Sequence, residues 1–233
     1  MDFLEIVLLT VIFLFPFLDI ALEKYKLKTK IQEYWKLSIM LWLVTAFLIY
    51  AFSIDTLSVS SPNIIPDSIM VMGLALLICC ALATYTLYSA TSINNNDEIK
   101  AQIRSIFAKN NDSYDELLPT NRKEYFTFVG LVSMSAGVCE ELIFRWYLLH
   151  FLEAYSNWII ACVISSVIFG FWHLYLGWMH VIKSAVVGFL LSLAYIYFDS
   201  ILVVIVVHAL MDIHAGTIAF VVKKPTSRVL IES

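Results

Sequence analysis

Charge is scarce in this sequence. Asp, Glu, Lys and Arg make up 15% of its 233 residues, where a soluble domain carries about 25%. The deficit sets the chain apart from an ordinary soluble domain, and no nucleic acid is expected as a partner. Cysteine is also sparse. Cys79, Cys80, Cys139 and Cys162 all lie in apolar runs, without the spacing of a metal site or a secreted disulfide framework. They read as small apolar core residues. No HExxH occurs, so the helix of a zinc metallopeptidase is missing. The first apolar run lacks the basic start and small-residue cleavage site of a signal peptide. Acids (Asp2, Glu5) precede it and lysines follow it, so it reads as a retained span. No tandem repeat or low-complexity tract stands out.

Apolar residues are abundant instead. They are 61% of the chain, and the mean hydropathy is +0.82. They fall into seven runs, roughly 6–22, 37–54, 68–92, 125–151, 158–174, 178–197 and 201–222. A spanning helix needs about 20 such residues, so the pattern predicts an all-α, polytopic transmembrane bundle with membrane lipid as its surroundings. Residues 1–124 hold the first three spans and a polar connector, 125–222 hold four more spans, and 223–233 form a tail of the same membrane domain. In the connector, Asn94-Asn95-Asn96-Asp97 is placed to end the third span and cap a short surface helix. Asn110-Asn111-Asp112 reads as a turn.

Of the 15 basic residues, five lie between 23 and 36, five between 94 and 124 and three in the tail. With seven spans all three regions fall on one side, and the opposite loops carry Asp55, Asp67, Glu153 and Asp199 without a basic residue. Basic loops stay in the cytoplasm, which places the N-terminus outside and the C-terminus in the cytoplasm.

Ionisable groups inside a bilayer need partners or water and mark functional sites. Three segments break the apolar pattern. In Glu140-Glu141-Leu-Ile-Phe-Arg145, Glu141 and Arg145 are four apart and share a helix face. An ion pair between helices accounts for those two but leaves Glu140 about 100° round the helix and in need of another partner. In Phe169-Gly-Phe-Trp-His173, Phe169 and His173 share a face; a single histidine beside a tryptophan is ordinarily a packing residue. In His208-Ala-Leu-Met-Asp212, the acid is spaced to orient the imidazole and fix its tautomer. His150, His180 and His214 fall near span ends or on other faces and read as incidental.

The order EExxxR, FxxxH, HxxxD resembles the CPBP family, which comprises the type II CAAX prenyl endopeptidases and bacteriocin-processing or immunity proteins. The residues carrying the resemblance are Glu140, Glu141 and Arg145, then Phe169 and His173, then His208 and Asp212, within roughly 120–215. It implies an intramembrane glutamic endopeptidase acting on a membrane-associated peptide or protein, with no catalytic metal and no cofactor. Glu140 would activate water with His173, His208 and Asp212 would hold the oxyanion, and Glu141 and Arg145 would brace the site. The prenyl endopeptidases carry asparagine at the last position. An ionised aspartate cannot donate a hydrogen bond, so Asp212 must be protonated or act by orienting His208. The short chain looks more like the bacterial relatives, which implies a bacterial cytoplasmic membrane.

Other readings of these residues are a non-proteolytic immunity or scaffold protein of the same fold, a zinc site built from Glu and two His, and a proton-relaying transporter. At about 1.5 Å per residue, Glu140 falls about 22 Å into its span counted from Tyr125, while His173 falls near the end of a short one. Straight helices would not bring Glu140, His173 and His208 together, so the fourth segment must start above the membrane, tilt or break. Ser184, Gly188 and Ser192 repeat at four-residue spacing on the sixth span, a pattern that lets helices approach closely.

Overall fold

A computed structural model describes residues 1–23, 25, 27–110 and 116–223. Lys24, Lys26 and the tail after Lys223 lie outside the described residues, and the turn expected at Asn110-Asn111-Asp112 runs into them. The described residues are helical and contain no strand: α1 (Phe3–Glu23), α2 (Lys30–Ser53), α3 (Ile69–Asn95), α4 (Asp97–Asn110), α5 (Arg122–Glu153), α6 (Trp158–Phe171), α7 (Trp178–Phe198) and α8 (Ile201–Lys223). Six of these are long and apolar enough to cross a membrane, and α6 is a shorter apolar helix of 14 residues. Helices satisfy their own backbone polar groups, the condition for crossing hydrocarbon. The protein is an all-α, multi-pass membrane bundle with about seven spans.

Side chains at the helix starts define where the chain turns. Thr29 accepts from the Gln32 N–H at 3.3 Å, Asn121 from Glu124 at 3.0 Å and Asn157 from Ile160 at 3.0 Å, each supplying an acceptor to a donor without an intrahelical partner. Asn96 does the same for Glu98 and Ile99 at 3.0 and 3.1 Å, so the Asn-rich stretch does end α3 and cap α4. Arg104 of α4 donates to the Val222 carbonyl at 2.6 Å, closing the far end of α8.

α5 is the centre of the bundle. Its apolar stretch is 56% buried, against 11% for α3, which lies at the periphery on α8. Two π-helical stretches, Phe128–Val132 and Leu142–Leu148, interrupt α5 on either side of Glu140 and Glu141. From Ile143 to Leu148 every residue is buried, because neighbours surround the helix on all sides. α2 and α8 pack along the middle of α5, while α6 and α7 form a close antiparallel pair beside its second half. A methyl group on Gly137 would meet the Ile205 carbonyl oxygen at 3.0 Å and Ala209 Cβ at 3.1 Å; glycine there lets α8 approach close enough for His208 to reach α5.

The long fourth segment removes the depth conflict posed by the sequence. α5 has 32 residues, about 48 Å at about 1.5 Å per residue, against about 30 Å of hydrocarbon. α6 has 14, about 21 Å by the same count. A helix that overshoots and one that stops short bring Glu140 and His173 to the same cavity.

Candidate active site

Helix spacing first pairs Glu141 with Arg145. The Glu141 carboxylate lies 3.1 Å from Arg145 Nε, and both are fully buried. Arg145 is further held by the Gly188 carbonyl of α7 at 3.2 Å and by the Phe169 ring, whose centroid is 4.3 Å from its guanidinium carbon. A methyl on Gly188 would sit 2.8 Å from Phe169 Cδ1, so the small residue expected to allow close packing makes room for that ring. Ser192 donates to the same carbonyl at 3.0 Å.

His208 comes from α8 to the other oxygen of Glu141, at 2.6 Å through Nδ1. This corrects the sequence expectation that Asp212 orients the imidazole. The Asp212 carboxylate is 3.9 Å from His208 Nε2, beyond hydrogen-bond distance. The reason is tertiary. A carboxylate already fixed by Arg145 on the facing helix reaches Nδ1, and the acid one turn along α8 does not. Glu141 accepts, so Nδ1 carries the proton, and Nε2 faces Glu140 at 3.8 Å and Asp212 at 3.9 Å.

His173 lies just past the C-terminal end of α6. Its Nδ1 is 3.0 Å from the Phe169 carbonyl, which can only accept, so Nδ1 is protonated and Nε2 of the neutral ring keeps its lone pair. Phe169 packs on both imidazoles, at 4.9 Å from His173 and 6.1 Å from His208 between centroids.

Glu140, His173, His208 and Asp212 line one cavity of about 530 Å³. Its walls are Tyr34 and Leu37 of α2, Phe128, Val132 and Ala136 of α5, and Tyr175 and Leu176 after His173. The lining continues to Leu27, Lys28, Thr29 and Glu116, which are exposed, so the cavity reaches the surface beside the α1–α2 connection. Glu141, Arg145 and Phe169 lie behind its floor. The Glu140 Oε2 atom is buried and has no hydrogen-bond partner among the described residues.

Three features of the site were not read from the sequence. Asp19 of α1, 6% exposed, lines the same cavity; an acid inside the first apolar run was its signal. Trp172 donates its indole N–H to the Ile12 carbonyl of α1 at 2.9 Å; the signal was Pro16. Tyr34 and Lys30 of α2 donate to the carbonyls of Leu117 (2.5 Å) and Leu118 (2.8 Å), holding the end of the connector beside the cavity; no sequence pattern marked those contacts. His150 and His214 lie elsewhere, against Tyr195 at 3.1 Å and Thr86 at 3.2 Å respectively. Among the described residues, no group of three His, Cys, Asp or Glu is arranged to hold a metal ion.

Comparison with protein families found one match. Residues 122–214 match the model of the Rce1-like family, the type II CAAX prenyl endopeptidases. This segment of the chain is similar to that family. It contains α5, α6, α7 and the half of α8 that carries His208 and Asp212, so all three motifs fall inside it. The match supports a fold of the CAAX-protease type in an integral, multi-pass membrane protein. No curated protein and no solved structure matches the chain. The Rce1-like segment supplies the floor of the cavity, while α1 and α2, outside the match, supply much of its wall.

Proposed function

We propose that the protein is an intramembrane endopeptidase that hydrolyses a peptide bond of a membrane-associated peptide or protein. The observation that carries this reading is the convergence of Glu140, His173, His208 and Asp212, from three helices, on one cavity reaching the surface. Peptide hydrolysis inside a bilayer requires water and a base in such a place.

In the proposed reaction Glu140 takes a proton from water, with the free Nε2 of His173 accepting a hydrogen bond that orients the same molecule. The resulting hydroxide attacks the scissile carbonyl carbon, and the carbonyl oxygen becomes an oxyanion. His208 donates to it through Nε2 when its ring carries both protons, since Nδ1 is engaged by Glu141. Asp212 assists from the same wall as a protonated acid or by its charge on His208. Glu140 then passes the proton to the leaving nitrogen, the C–N bond breaks, and a carboxylic acid and an amine are released. Glu141 and Arg145 hold the donors, and preorganised donors are the larger part of such catalysis. No step uses a metal or a cofactor. The basic connections put the cavity mouth in the cytoplasm, with the N-terminus outside, in a membrane of bacterial type.

The test uses the full chain in proteoliposomes with a library of lipid-anchored peptides, read by mass spectrometry in ¹⁸O-labelled water. Cleavage with one ¹⁸O in each new carboxyl group is expected, unaffected by chelator. Glu140→Gln should lower its rate by about 10²–10⁴-fold, the usual contribution of a general base, at unchanged thermal stability. Wild-type rates in a folded Glu140→Gln variant would overturn the proposal and favour the scaffold or immunity reading.

A further inference from the structure

Pro16 stands inside α1. Proline has no N–H, so the carbonyl four residues back loses its helical donor. That carbonyl belongs to Ile12, and it is the one to which Trp172 donates at 2.9 Å. Ile12 is 0% and Trp172 3% exposed, so no solvent replaces the missing bond, and a carbonyl left unsatisfied in an apolar interior is destabilising. The gap in one helix and the donor on the other are complementary.

The same tryptophan also packs on two rings. Phe15 stacks on it at 4.0 Å and 15° between planes, and Phe144 of α5 meets it edge-on at 4.8 Å. Trp172 immediately precedes His173. Beyond His173 the chain makes one 3₁₀ turn, Leu174–Leu176, and reverses at Gly177 with φ +99°, a conformation favouring glycine. His173 therefore sits on a short reversal whose first residue is bolted to α1.

We infer that Pro16, the Ile12 carbonyl and Trp172 form a clamp by which α1 positions His173 in the cavity, which makes α1, outside the Rce1-like segment, a working part of the site. Trp172 is the positioning residue, and Pro16 is what leaves the carbonyl it grips without a helical donor; neither touches substrate. The catalytic half of this inference rests on the peptidase reading, whereas the clamp itself does not.

The two residues predict an unusual pairing of variants. Trp172→Phe keeps an aromatic ring but leaves the Ile12 carbonyl without a donor. Pro16→Ala returns an N–H to position 16, which bonds that carbonyl within α1. Pro16→Ala should therefore be nearly silent alone, because a carbonyl accepts two hydrogen bonds, and should restore the melting temperature lost in Trp172→Phe. It should not restore His173. The readout is ¹⁵N-histidine NMR of the full chain in lipid nanodiscs, with His173 assigned by His173→Gln. Wild type should give one set of His173 ring signals, and the refolded double variant Pro16→Ala/Trp172→Phe should give shifted or multiple ones.

For cleavage, the double variant should lose about 10²-fold in kcat, the scale of a 1 Å misplacement, with KM unchanged. Unaltered His173 signals in the folded double variant would overturn the clamp. Altered signals with wild-type kcat would overturn its role in catalysis. Absence of cleavage by the wild-type chain would sink the peptidase reading and leave the clamp to the NMR result alone.

Discussion

The two imidazoles that face the cavity are held in different ways. His208 is held by charge, through Glu141 and behind it Arg145, all buried where α5 and α8 cross. His173 is held by backbone, through the Phe169 carbonyl at its own helix end and, one residue earlier, through the Ile12 carbonyl on α1. A charged brace is strong but intolerant, since removing one member strands another in an apolar interior. A backbone brace is neutral, and its loss displaces a side chain without stranding a charge. The site thus combines a part whose failure is a folding failure with a part whose failure is a loss of aim.

Breaking the charged brace should have the largest effect. Glu141→Ala leaves Arg145 buried and unpaired and His208 without its acceptor. It should cost about 3–5 kcal/mol of stability, the usual range for a broken buried pair, measured as denaturant unfolding in mild detergent. Loss of a folded fraction is expected before any kinetic effect can be read.

Next comes Gly188→Ala, which tests the packing behind both braces. The added methyl would lie 2.8 Å from Phe169 Cδ1, and Phe169 touches Arg145 and both histidine rings. Overpacking of this kind costs about 1–3 kcal/mol; a lowered melting temperature with reduced cleavage is expected, and an unchanged one would show that the Phe169 ring is free to move. Smallest of all should be His150→Ala. His150 bonds Tyr195 at the opposite end of α5 from the cavity mouth, so cleavage assays should show wild-type kcat and KM. A loss there would mean that the two braces do not account for the site.

Much of this is legible in the sequence alone. The apolar runs match the helices to within three residues except at the start of α2, which begins at Lys30 and not at 37 because a polar first turn precedes its apolar stretch; the asparagines mark the cap of α4, and the pair Glu141–Arg145 follows from four-residue spacing on one face. What could not be read was every relation that depends on which helices touch. The four-residue spacing of His208 and Asp212 made Asp212 the natural partner, and Glu141 on another helix took the place. Asp19 and Pro16 stood in plain view in the first run, but nothing in one strand of sequence tells that α1 lies against the turn after α6.

The difference has a physical cause. Transfer of apolar side chains out of water, and the need of a backbone in lipid to bond to itself, act along the chain with periods that the sequence displays. They determined that this is a helical membrane protein with ionisable groups at three points in its last four spans. Which carboxylate meets which imidazole, and which carbonyl meets the Trp172 indole, depends on side-chain volumes and helix crossings hundreds of atoms apart. Only the packed bundle decided those, by letting α8 in at Gly137 and by setting the gap left by Pro16 opposite the Trp172 indole N–H.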